Sequence, residues 1–228
     1  LVHLATAGER PATRVAALCA LDGLGALPQA VVDQLLVDPA AGVRRHAVRL
    51  ADRPEQLFQL NEQNARVRLE IAYRMRESRD PRATDVLARI SHDADSSLCN
   101  VIAVSAPDPV ELLRRVRSQP MMSALALLIG ATGEQDQLVA TIEIAKNSPE
   151  ILGALGQGLR HAGTTLEQVA GVATLLDEQQ SLALDPTQSI KRRLAAVEVM
   201  ACVAVTRSRE TLIQLLESDQ PFELQRAA

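Results

Sequence analysis

Aromatic residues are almost missing from this chain. They make up 1% of 228 residues: no Trp, Tyr73 alone, and Phe58 and Phe222. That scarcity speaks against a sheet-based core, because strands draw on aromatic and β-branched side chains. Hydrophobic residues still reach 47%, and Ala, Leu and Val supply them, which suits closely packed helices. Lysine is equally scarce, with Lys146 and Lys191 the only two. The positive charge is therefore Arg, read plainly as the mark of a GC-rich genome, or else as an Arg face fitted to bidentate carboxylate contacts. An excess of basic residues is also lacking: the net charge is −4, whereas a nucleic-acid footprint needs clustered surplus Lys and Arg.

Cys19, Cys99 and Cys202 are the only cysteines and form no CxxC. This excludes a zinc ribbon and a c-type haem attachment site within the chain. Each lies in an apolar run, and the three are expected to be reduced and mostly buried, as small hydrophobes. No stretch approaches the ~20 apolar residues that span a bilayer, and no signal-peptide pattern occurs in these residues. The chain opens on Leu1-Val2-His3-Leu4 and stops at Gln225-Arg226-Ala227-Ala228, both within helical patterns. The expectation is a piece of a larger protein, so the missing signal leaves location open.

What is present is a loosely repeated phrase. Val43-Arg44-Arg45-His46-Ala47 has relatives at Thr13-Arg14-Val15-Ala16-Ala17, Val67-Arg68-Leu69-Glu70-Ile71-Ala72, Arg192-Arg193-Leu194-Ala195-Ala196 and Leu224-Gln225-Arg226-Ala227-Ala228. Anchors fall near Thr13, Val43, Val67, Leu98, Met122, Ile151, Arg192 and Leu224, at intervals typical of helical repeats. X-Pro units such as Asp38-Pro39, Asp80-Pro81, Asp108-Pro109, Ser148-Pro149 and Asp185-Pro186 punctuate them. Pro opens a helix at no hydrogen-bond cost, and Asp or Ser before it can cap. The long interval before Arg192 contains Leu182-Ala183-Leu184-Asp185-Pro186 and is expected to hold an inserted loop.

Apolar spacing near 3.6 places Val43, Ala47, Leu50 and Ala51 on one stripe, and Val67, Ile71 and Met75 on another. The segments Ala16–Leu24, Ala124–Ile129 and Leu194–Val205 are apolar nearly all round and should be covered on several sides. Between Val67 and Met75 two registers compete, one with Val67 inward and one with Arg68 there. The fold expected is all-α: a right-handed α-solenoid of HEAT/armadillo-like helix pairs. One domain spans 1-228, with about eight pairs and truncated terminal ones.

Asp38-Pro-Ala-Ala-Gly-Val-Arg-Arg-His-Ala resembles HEAT or armadillo repeats, especially the short units of phycobilisome-lyase-type proteins. Ala17-Leu18-Cys19-Ala20-Leu21-Asp22-Gly23-Leu24-Gly25-Ala26-Leu27, Asp80-Pro81-Arg82-Ala83-Thr84, Gly153-Ala154-Leu155-Gly156-Gln157-Gly158-Leu159 and Gln220-Pro221-Phe222-Glu223-Leu224-Gln225-Arg226-Ala227-Ala228 carry a closer resemblance. Together they resemble the HEAT segment of large planctomycete multidomain proteins of the membrane-bound dehydrogenase-like, haem-binding CxxCH type. That resemblance implies a dehydrogenase-like propeller before the segment, a c-type cytochrome with its haem c after it, and a periplasmic or secreted location. No CxxCH occurs in these residues, so no cofactor is assigned to them.

The sequence names no catalytic or metal-binding residue. Gly-x-Ser-x-Gly is absent. His3, His46, His92 and His161 lack partners at metal-ligand spacing, and the Asp residues of His92-Asp93-Ala94-Asp95, at a helix end, read as caps of the following helix. Gly153, Gly156 and Gly158 lack a preceding strand and read as points of close helix approach. Arg44, Arg68 and Arg193 occupy one slot after their anchors. In HEAT-like repeats, that slot pairs with an Asp of a nearby turn, a structural tie. Arg45 and Arg49, four apart on one helix face, are the candidate partner-binding residues. The expected role is a non-catalytic scaffold with protein partners, and neither nucleic acid nor membrane insertion. The alternatives are a lyase-like protein acting on or chaperoning a tetrapyrrole, and a cytosolic peptide-binding regulator.

Overall fold

The computed structural model describes residues 1–228, and it is all-helical, with no strand. The chain divides into two compact units, Leu1–Ser118 and Gln119–Ala228.

In the first unit lie α1 (Val2–Ala7), α2 (Pro11–Gly23), α3 (Gln29–Leu35), α4 (Ala41–Leu50), α5 (Ala65–Met75), α6 (Arg82–Ile90), α7 (Ser96–Ser105) and α8 (Pro109–Arg115). A 3-10 turn, Pro54–Leu57, stands between α4 and α5. Helices α2, α4, α5 and α7 pack in series, each on the next, while α1 packs on α3 and α6 on α8. Contacts of α1 with α2, of α3 with α4 and of the 3-10 turn with α5 join the two rows. Leu18, Leu35, Val43, Leu57, Ile71, Met75, Leu87, Ile102 and Leu112 fill the core. Each large aliphatic side chain buried there contributes roughly 1.5–3 kcal/mol.

The second unit holds α9 (Gln119–Thr132), α10 (Gln135–Ala145), α11 (Pro149–His161), α12 (Ala173–Leu184), α13 (Ile190–Met200), α14 (Val205–Leu215) and α15 (Phe222–Ala227). Here α9, α11, α13 and α15 pack in series, with α10 against α9 and α11, and α12 against α13 and α14. All eight sequence anchors fall in the serially packed helices α2, α4, α5, α7, α9, α11, α13 and α15.

Local chemistry sets the helix starts. Pro11, Pro109 and Pro149 open α2, α8 and α11. Asn64, Asp95, Asp108 and Ser189 accept backbone N–H groups of the first turns they precede. Of the X-Pro units named above only Asp108-Pro109 both caps and opens a helix; Pro81 is itself the cap residue of α6, and Pro186 lies before Ser189, the cap of α13. Pro39 precedes the cap of α4, and Asp38 accepts the Ala40 N–H instead. Ser148 turns its hydroxyl to Glu150 and leaves the first turn of α11 uncapped by its side chain.

Two further expectations are corrected, and the place of the inserted loop before Arg192 is fixed. The run Leu194–Val205 is not one helix: α13 ends at Met200, and Val205 starts α14 with 75% of its surface exposed. Helix α2 is not covered all round, since Ala16 and Leu24 face solvent. Residues Leu182–Leu184 belong to α12, and the extra length lies earlier, between His161 and Ala173, where Leu166–Gln168 forms a 3-10 turn against α11. The register over α5 is settled by burial: Val67, Ile71 and Met75 point inward, and Arg68 is free to bond elsewhere.

Candidate functional site

Four arginines in the first turns of serially packed helices reach across to neighbouring turns. Arg14 on α2 donates from Nε and Nη2 to both carboxylate oxygens of Asp38, each at 2.8 Å, and from Nη1 to the Gly8 carbonyl at 2.7 Å. Both side chains of this pair are buried. Arg44 on α4 repeats the arrangement, taking Glu62 at 2.7 and 2.9 Å and the carbonyls of Asp38 and Pro39. Arg68 on α5 has no carboxylate and donates to the carbonyls of Ile90 and His92. Arg193 on α13 donates to the Ala183 carbonyl and to the Gln220 side chain, each at 2.8 Å. The carboxylate expected for this slot is an Asp only at Arg14, which sequence reading passed over although it stands one residue after its anchor like the others. At Arg44 it is Glu62.

The charge partners alter one another. The hydrogen bond that Arg44 donates to Glu62 raises the Arg44 guanidinium above its ordinary value. Burial pulls the Glu62 carboxyl up, but the Arg44 hydrogen bond, the Asn64 N–H and the Arg44 charge outweigh it, leaving the group below the ordinary carboxylate range.

Arg45 and Arg49 lie on the other side of α4. A cleft of about 420 Å³ opens there, lined by Val15 of α2, by Ala41, Gly42, Arg45 and His46 of α4, and by Asn64 and Arg66 at the start of α5. Arg45 is half-buried and Arg66 exposed. Arg49 is exposed one turn beyond, its Nη2 3.5 Å from His46 Nδ1. The thiol of Cys19 stands 3.9 Å from the same nitrogen. Burial, then the charges of Arg49 and Arg45, hold the His46 imidazole below its ordinary value, with Glu70 opposing. His46 and Arg66 are members of this site that the sequence did not single out; the signal for Arg66 was its place in the first turn after the Asn64 cap.

The remaining candidates disperse. His3 and His161 are exposed. The His92 imidazole pairs with its neighbour Asp93, with both side chains in solvent. Arg115 pairs with Glu111 and Asp85, and Arg114 with Glu111. Lys191 and Arg192 are exposed while Arg193 is buried, so that run is not one basic patch. A second cleft, about 600 Å³, mixes Arg68, Arg89 and His92 with Glu62 and Asp93 and has no single charge character. No group of three or more His, Cys, Asp or Glu side chains is gathered as metal ligands would be, and no helix is long and apolar enough to cross a membrane.

No protein-family model matches the chain, and no curated protein or solved structure matches it.

Proposed function

We propose that this chain is a non-catalytic scaffold in which each unit is a stretch of right-handed α-solenoid built from HEAT/armadillo-like helix pairs, and that its partners are proteins. The observation that carries the reading is the recurrence of the arginine tie. Arg14, Arg44, Arg68 and Arg193 each join the start of one serially packed helix to polar groups of a turn 18 to 27 residues further on. A tie that recurs along the chain is what a stack of nearest-neighbour repeats requires. The cleft beside Arg45 and Arg49 supplies the docking surface. By resemblance, the parent protein would place this scaffold between a dehydrogenase-like propeller and a c-type cytochrome domain, outside the cytoplasmic membrane.

Hydrogen exchange on an Arg14→Leu variant tests the repeat reading. In a solenoid each repeat leans only on its neighbours, so protection should fall in α1 to α4 and persist in α7 and α8. Uniform loss from Leu1 to Ser118 would mark a single cooperative globule and overturn it. Titration with haemin and with a bilin addresses the tetrapyrrole alternative: the scaffold reading expects no shifted visible band.

A further inference from the structure

The cleft beside α4 combines features that the arginine ties lack. Arg45 and Arg66 make no side-chain hydrogen bond and no ion pair, and Arg49 touches only His46. In the same unit Arg14, Arg44, Arg82 and Arg115 each hold a carboxylate. The unpaired guanidinium groups of Arg45 and Arg66 border a floor of Val15, Ala41 and Gly42, with Arg49 one turn beyond on His46, and a Cβ on Gly42 would meet nothing within 4 Å, so a backbone can approach. Asn64 uses its carbonyl oxygen to cap α5, which leaves its amide N–H groups to donate. Guanidinium groups match carboxylates bidentately.

We propose that this cleft between α2, α4 and the first turn of α5 holds an acidic protein segment, whose Asp or Glu carboxylates are taken by Arg45, Arg49 and Arg66. The proposal rests on the protein-docking reading above and names the partner's chemistry. Nucleic acid fits less well: the chain is net −4, and the cleft has no Phe, Tyr or Trp on which bases would stack.

The test uses the whole chain and a fluorescent peptide of alternating Glu and Ala, followed by anisotropy at low salt. Binding is expected, weakening as salt screens the charges. An R45E/R66E variant should lose at least about tenfold, equivalent to ~1.4 kcal/mol, at an unchanged melting temperature. The control R76E/R79E makes the same charge change at two exposed arginines of the same unit and should bind as the parent does. Equal losses in the two variants would reduce the effect to bulk charge and overturn the proposal. So would equal binding of a Lys-Ala peptide or of oligothymidylate.

A second readout is local. The titratable groups facing His46 are Arg49, Arg45, Glu70 and the Cys19 thiol. Carboxylates seated on the arginines offset their charge, so the His46 proton-NMR titration midpoint should rise when peptide binds, with H46Q assigning the signal. A bound peptide that leaves that midpoint unmoved lies elsewhere, and the site assignment falls. If the peptide fails to bind while exchange in Arg14→Leu stays local, the acidic-segment proposal falls and the scaffold reading stands.

Discussion

Gly130 of α9 and Gly158 of α11 face each other with no room for a side chain on either. A Cβ on Gly158 would run into the Leu127 carbonyl oxygen and come within 2.9 Å of the Gly130 Cα; one on Gly130 would run into the Leu155 carbonyl oxygen and come within 3.1 Å of the Gly158 Cα. The two helices therefore touch backbone to backbone. Gly153, on the same helix α11, is buried but has no such neighbour: its added Cβ would meet nothing closer than 3.8 Å.

The pair gives a direct comparison. Gly158→Ala should lower stability by about 2 kcal/mol, because overpacking costs ~1–3 kcal/mol and the helix-propensity gain of up to ~1 kcal/mol offsets only part of it. Gly153→Ala keeps that gain without the clash and should stabilise. Urea unfolding of the two variants measures both signs; a loss at Gly153 matching that at Gly158 would place the close approach elsewhere.

Asp38 is 7% exposed and depends on Arg14. Arg14→Leu leaves its carboxylate buried without its ion-pair partner, a change that costs about 3–5 kcal/mol. Arg193→Leu removes donors to a carbonyl and an amide and strands no charge, so about 1–3 kcal/mol is expected. Chemical denaturation of the two should rank them in that order.

The Arg44–Glu62 pair makes stability depend on pH in a defined direction. The folded Glu62 carboxyl lies below its ordinary value of 4.5. A depressed acid contributes stability that is present above that ordinary value and is lost as pH falls through the folded value. Melting temperature should therefore drop below about pH 4.5, and Glu62→Gln should flatten that part of the profile. An unchanged acid limb in Glu62→Gln would show that other carboxylates govern it.

Ala47 is fully buried, on the stripe with Val43, whereas Arg49 is exposed. Ala47→Glu buries an unpaired charge, which costs several kcal/mol. Arg49→Glu should alter stability by less than about 0.5 kcal/mol. Thermal melts separate the two variants.

Thiol chemistry should divide the cysteines. Cys99 and Cys202 are buried, and burial pushes both thiols above their ordinary value. Cys19 is half-buried beside His46. Native labelling should modify Cys19 first, leaving the other two until unfolding; mass spectrometry of single-site adducts checks the order.

The sequence by itself determined the helical class and the location of the serially packed helices. Both are local: the 3.6-residue spacing of Val43 and Ala47, or of Val67, Ile71 and Met75, is set by helix geometry whatever the surroundings. Caps such as Asp95 and Asp108 act within three residues and were equally open to reading. Breaks inside apolar runs were less so. Met200 to Val205 reads as continuous because hydrophobicity does not record where a neighbouring helix stops covering the chain.

Only the tertiary structure decided what the arginines do. Arg14, Arg44, Arg45 and Arg66 are alike as residue types, and an acceptor 18 or 24 residues away leaves no mark on local spacing. Arg44 meets Glu62 because the turn before α5 comes back to the start of α4; Arg45, one residue on, points 100° round the helix into a cleft that holds no carboxylate. Pairing and vacancy follow from which segments the packing brings together, a long-range consequence of the burial of both rows.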